Sequence, residues 1–238
     1  MNMSVQARAR MRLAAPLIVV ASVLGAACTS TLPSATSSQP TSTATATSTP
    51  TPPPLAAGID GPGTYRLSGA EVNGTITVPA GWENIEGWGV AKGEGNAFMA
   101  VVIWPNDEEV AQVYADPCGW SGNFVDPPVG TTVEELANAL AAQPQRGNAV
   151  PTDVTIDGYD GRLVEMSVPT DIDFADCDEG NFFSWAGRFH QGPGQVDLVH
   201  ILDVDGERVV LIAHHMPGVS AAGLAEQQSV VESIDLLP

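Results

Sequence analysis

The clearest alternation of apolar and polar positions lies in the last third of the chain, where 181–190, 196–204 and 208–216 each have the length and pattern of a strand. Along the middle run Val196, Leu198, His200 and Leu202 share one face, and Asp197, Val199, Ile201 and Asp203 the other. Asp205-Gly206 between the last two runs predicts a tight primed turn. Upstream, Asn73-Gly74 predicts a turn into a strand over 75–78, and 88–92 and 97–104 read as strands separated by a glycine-rich turn. The run 97–104 is apolar on both faces, as a central strand requires. Residues 153–156 and 162–168 pair across Asp157-Gly158-Tyr159-Asp160-Gly161.

Helical spacing is confined to three places. Asn106 or Asp107 caps a short helix through Val113. Thr132-Val133-Glu134-Glu135 has capping-box order and opens a helix over 131–142, with Val133, Leu136, Ala137 and Leu140 on one face and Pro144 closing it. A last helix over 220–233 offers Leu224, Val231 and Ile234 to one side of the sheet. Hairpin-joined strands with few helices predict an α+β fold, an antiparallel sheet flanked by helices in one domain at 59–238.

The first 58 residues cannot build that core. Arg8, Arg10 and Arg12 precede an apolar run from Leu13 to Leu24, the order of an export signal over 1–27, and Pro16 and the short length argue against a membrane span. Residues 28–58 are dominated by Ser, Thr, Ala and Pro and predict a disordered tether of extended, polyproline-like chain. The junction Leu24-Gly25-Ala26-Ala27-Cys28 resembles the lipobox of bacterial lipoproteins, although its leucine sits one place further from the cysteine than is usual. That resemblance implies a diacylglyceryl thioether on Cys28 and a mature N-terminus there, with an uncleaved anchor or a plain secreted product as the alternatives. The Val78-Pro79-Ala80-Gly81-Trp82 stretch, the mid-chain helix, the antiparallel run and the terminal helix together resemble the PsbP-like domains of actinobacterial LpqN-type lipoproteins. The resemblance implies a curved sheet flanked by helices and a binding or accessory role, with no catalytic residues carried over.

Charge narrows the partners. The chain holds 28 acidic and nine basic residues, a net of −19. Without the three leader arginines, six basic residues face the same 28 acidic ones, a net of −22. Phosphate backbones and anionic headgroups repel such a chain, so nucleic acid is excluded and the membrane is reached through lipid on Cys28.

Three cysteines divide into the lipidated Cys28 and a Cys118–Cys177 disulfide between two loop-like segments, which an oxidising compartment permits. Asp171, Asp173, Asp176, Asp178 and Glu179 are of the ligand type calcium prefers, but their spacing departs from an EF-hand and Cys177 in their midst points to a solvated, stapled surface loop, with a calcium site at Asp171, Asp173, Asp176 and Asp178 as the alternative. His190, His200, His214 and His215 fall on the last strands, where they read as polar residues on half-buried strands, with a zinc or copper pair across neighbouring strands as the alternative. Five tryptophans (Trp82, Trp88, Trp104, Trp120, Trp185) suit either a sugar or peptide groove or the core. Gly119-Trp120-Ser121-Gly122 lacks the order of a nucleophile turn, and the scattered glycines make no phosphate loop. With no cofactor implied, the leading expectation is a lipid-anchored, extracytoplasmic binding module that meets an envelope protein or small apolar ligand through its sheet face. The rivals are an envelope hydrolase using carboxylates with His190 or His200, and a structural surface protein without a dedicated ligand.

Overall fold

A computed structural model describes residues 51–56, 61–68, 72–104, 107–147 and 149–237. In chain order its elements are β1 (Gly63–Arg66), β2 (Asn73–Val78), β3 (Glu83–Ile85), β4 (Gly89–Lys92), β5 (Met99–Ile103), α1 (Asp107–Val110), α2 (Val133–Ala141), β6 (Thr152–Ile156), β7 (Tyr159–Ser167), β8 (Phe183–Trp185), β9 (Arg188–Phe189), β10 (Val196–Val204), β11 (Glu207–His215), α3 (Ala221–Glu232) and β12 (Asp235–Leu237). The fold is α+β, and every pairing between these strands is antiparallel.

Seven strands make the main sheet in the order β3-β4-β5-β11-β10-β7-β6; β1-β2-β12 form a second sheet, and β8 and β9 a two-stranded hairpin. The β10–β11 pair turns at Asp205 (φ +53°) and Gly206 (φ +92°), the left-handed conformations that a primed two-residue turn demands. The capping box expected for α2 forms in full: the Thr132 hydroxyl accepts from the Glu135 N–H, and the Glu135 carboxylate accepts from the Thr132 N–H.

Both faces of the main sheet are covered. One buries Val101, Leu202, Leu211 and Ala213 against α3 and the second sheet, through Val230, Val231, Ile76 and Leu236. The other buries Val102, Val164, Val199, Ile201 and Ile212 beneath Leu136, Ala137 and Leu140 of α2. No outward apolar face is left on β10 and β11, which corrects the expectation that a partner docks on the sheet face.

Other expectations shift. Asn73-Gly74 is not a turn but the start of β2, paired with Leu237 and Leu236 of a β12 that carried no sequence signal of its own. The run 181–190 is not one long strand: it folds back at Gly187 (φ +81°) into the β8–β9 hairpin. The tether also begins to pack before its expected end. Leu55 is fully buried in the core, its N–H donates to the Arg66 carbonyl at 2.6 Å, and the Arg66 N–H donates to the Pro53 carbonyl at 2.8 Å. Cys28 and the leader lie outside the described residues, and among those described no helix is long and apolar enough to cross a membrane.

Candidate functional site

An irregularity in the β8–β9 register between Phe183 and Trp185 buries both Ser184 and Trp185, yet the hairpin still sorts its side chains into two roles. Ser184, Arg188 and, just beyond β9, His190 point inward and are buried, while Phe183 and Phe189 point outward.

Inward, they close on Asp197 of β10. Asp197 Oδ1 accepts from Arg188 Nη2 at 2.9 Å and from Gln195 Nε2 at 2.8 Å. Its Oδ2 accepts from Arg146 Nη2 at 3.0 Å and faces His190 Nδ1 at 3.2 Å. Three hydrogen bonds, from Arg188, Gln195 and Arg146, with the His190 ring beside Oδ2, thus occupy most of the acceptor capacity of one carboxylate. His190 Nε2 lies 2.9 Å from Ser184 Oγ, and the second amide hydrogen of Gln195 reaches His214 Nδ1 at 3.3 Å. Burial disfavours the charge of Asp197, yet the guanidiniums of Arg188 and Arg146 hold its carboxyl far below the usual range. Burial, then Arg146, pushes His190 well down, and burial with Arg188 pushes His214 down to about 3. Both imidazoles are therefore neutral at physiological pH.

Ser184, His190 and Asp197 have the connectivity of an acyl-transfer triad, but their environment opposes that chemistry. Ser184 and Asp197 are 0% exposed and His190 3%. A histidine that takes the serine proton must become imidazolium, and two guanidiniums on the shared carboxylate penalise that charge. His200, the other base of the hydrolase expectation, is buried on β10 with its Nδ1 lacking a partner among the described residues. What the cluster does is join five parts of the chain: Arg146 beyond α2, β8, β9, β10 and, through His214, β11.

Outward, the same hairpin carries one side of an aromatic surface. Phe183 and Phe189 are cross-strand partners with ring centroids 6.4 Å apart. Trp120 packs on Phe183 at 4.7 Å and lies 5.7 Å from Tyr114, against which Phe124 stacks at 4.7 Å. Phe124 is 42% exposed and Phe189 52%. The expected disulfide lies directly beneath: Cys118 and Cys177 are bonded, with Cα atoms 4.6 Å apart. The Asp178 N–H donates to the Cys118 carbonyl, the Phe183 N–H to the Pro117 carbonyl, and the Trp120 indole N–H to the Asp178 carbonyl at 3.0 Å. Ser121, dismissed as a nucleophile, donates its own N–H to Asp178 Oδ2.

Beside Tyr114 an open groove of about 630 Å³ runs between α2 and the segment 125–130, lined by Asp126, Pro127, Pro128, Glu135 and Gln143 among others. Gln143 is 4% exposed; its Nε2 donates to the carbonyls of Tyr114 (2.8 Å) and Ser184 (2.7 Å), which fixes the amide and leaves Oε1 without a donor among the described residues.

The carboxylates of the acidic loop do not converge. Asp173 accepts from the Ala175 N–H and Asp178 from the Ser121 N–H, each serving its own turn. Among the described residues no three His, Cys, Asp or Glu side chains are grouped to hold a metal, and His214 and His215 alternate across β11. The tryptophans divide: Trp82 packs in the core and donates to Glu226 at 3.1 Å, Trp88, Trp104 and Trp185 form an edge-to-face row, and only Trp120 joins the surface cluster. The aromatic surface itself went unread, because its five rings come from two segments some sixty residues apart. The available signal was the disulfide, which names the two segments that meet.

No family model matches the chain, and no curated protein matches it. Among solved structures, the solution structure of cyanobacterial PsbP (CyanoP) from Synechocystis sp. PCC 6803 is a weak neighbour, with 15% identity over 76% of this chain and 95% of that one and a TM-score of 0.35.

Proposed function

We propose that this protein is a lipid-anchored, extracytoplasmic module of the cell envelope that holds a partner on the surface formed by Tyr114, Trp120, Phe124, Phe183 and Phe189. The observation that carries this reading is the exposure of Phe124 and Phe189 within a cluster whose rings are already fixed by a disulfide on one side and a buried ion network on the other. A pre-formed aromatic surface binds without paying to order its side chains, and exposed grouped aromatics on a chain with a covered sheet mark a contact site. Export and the anchor rest on the leader and Cys28, and the Pro-rich tether gives the domain reach from the membrane. The kinship to LpqN-type lipoproteins belongs to the same proposal and rests on the order of elements and the short Pro-Ala-Gly-Trp stretch.

Two measurements test it. Cys28→Ala should shift the protein out of the membrane fraction or leave it unprocessed; a cleaved product that stays membrane-bound refutes the anchor. Phe124→Asp with Phe189→Asp should abolish partner recovery from intact envelope while the melting temperature holds, and unchanged recovery refutes the surface.

A further inference from the structure

We infer, resting on that reading of the surface, that its partner is a cationic polypeptide segment whose lysine and arginine side chains stack on the exposed rings and whose N–H groups enter the groove beside Tyr114.

Charge gives the first reason. Residues 111–130 and 171–190, which the disulfide joins, carry seven carboxylates: Asp116, Asp126, Asp171, Asp173, Asp176, Asp178 and Glu179. Their one basic residue, Arg188, is buried and committed to Asp197 and the Phe189 carbonyl. Asp126 is exposed two positions along the chain from Phe124, and the Asp178 carboxylate accepts from the N–H of Ser121, the residue after Trp120, so negative charge lies close to the ring-bearing segments. Anionic ligands are repelled from this end of the molecule, and cations are concentrated there.

The rings give the second. The π face of an aromatic side chain attracts a guanidinium or ammonium within about 6 Å, and Phe124 and Phe189 have the exposure to offer one. An apolar partner would use the rings and waste the carboxylates, whereas a basic segment uses both.

The third is independent of the other two. Gln143 Oε1 is a buried acceptor with no donor among the described residues, in a residue that lines the groove, while Asp126 and Glu135 flank the same groove. Lysine and arginine bring donors and no acceptors, which is the complement this wall lacks. An extended segment is the form that reaches both features, since the groove and the exposed rings meet at Tyr114.

The test uses the exported, folded protein and three fluorescent probes at 0.15 M salt: a twelve-residue peptide alternating arginine and glycine, its glutamate counterpart, and a neutral hexasaccharide. The arginine peptide should bind; the glutamate peptide and the sugar should not. Phe124→Ala with Phe189→Ala should weaken the arginine peptide at least fivefold, and Asp126→Asn at least twofold, while Val150→Ala, at an exposed position outside the surface, should leave it unchanged. Failure of the arginine peptide to bind overturns the inference, and so does binding that ignores both phenylalanines, since that is diffuse attraction to a polyanion. Sugar binding that is lost in the phenylalanine double variant overturns the cationic partner while leaving the surface itself standing.

Discussion

Phe124 lies nearly flat on Tyr114, with ring centroids 4.7 Å apart and 20° between the planes, so a half-exposed ring rests on one that is almost wholly buried. Tyr114 is anchored in turn, because its carbonyl accepts from Gln143 and its N–H donates to the Ser184 carbonyl. The exposed aromatic end is therefore an extension of the core. The same interior that makes Ser184, His190 and Asp197 unpromising as a triad gives Phe183 and Phe189 a fixed place.

Asp197→Ala tests that coupling. Removing the carboxylate leaves Arg146 and Arg188 buried without their counter-charge, which costs about 3–5 kcal/mol for a broken buried pair. Denaturant unfolding should show that loss, and probe binding at Phe189 should weaken with it. A change below 1 kcal/mol would mean that the cluster does not hold the hairpin.

Acid should destabilise the domain from the side of its histidines. His214 has a folded pKa of about 3 against an ordinary 6.5, so below 6.5 the unfolded chain binds a proton that the folded one refuses. This stability is complete above pH 6.5 and is lost as pH falls toward 3, by up to about 1.4 kcal/mol per pH unit. His190, also pushed down by burial and Arg146, adds in the same direction. Unfolding curves between pH 7 and 4 should show the fall, and His214→Asn should lessen its slope while leaving the part due to His190.

Reducing the disulfide opens a loop spanning 59 positions, for which loop-closure entropy gives a loss of up to about 4 kcal/mol. The aromatic surface should suffer beyond this global effect, since Trp120 and Phe183 come from opposite sides of the bridge. Cys118→Ala with Cys177→Ala should lower the melting temperature and weaken binding; an unchanged affinity in the folded variant would show that the bridge serves stability alone.

Leu55→Ala should cost about 2–5 kcal/mol, the range for a buried leucine, although the residue sits in a stretch whose composition reads as tether. Thermal unfolding of the variant decides the matter. A cost under 0.5 kcal/mol would return 51–56 to the linker.

Local patterns carried most of the architecture. The Thr132 capping box, the Asp205-Gly206 turn and the doubly apolar β5 were all legible, because each depends on residues close together in the chain. What escaped depends on distant partners. Leu55 reads as linker until Arg66 supplies its hydrogen bonds, and β12 exists because β2 offers an edge. His190 and Asp197 were both visible, but nothing local predicts that burial, with Arg146 beside them, would keep the imidazole neutral. The disulfide was legible from cysteine count alone, and the surface above it was not, since stacking between Tyr114, Trp120 and Phe183 needs the fold.

The most direct test places a photo-cross-linking amino acid at position 189, at position 124 and, as a control, at exposed Val150, in the full-length protein in living cells. Irradiation should give the same discrete adduct from 189 and 124, with basic segments of the partner at the cross-linked site, and none from 150. Equal adducts from all three positions, or adducts from 150 alone, would contradict the assignment of the aromatic end as the binding surface.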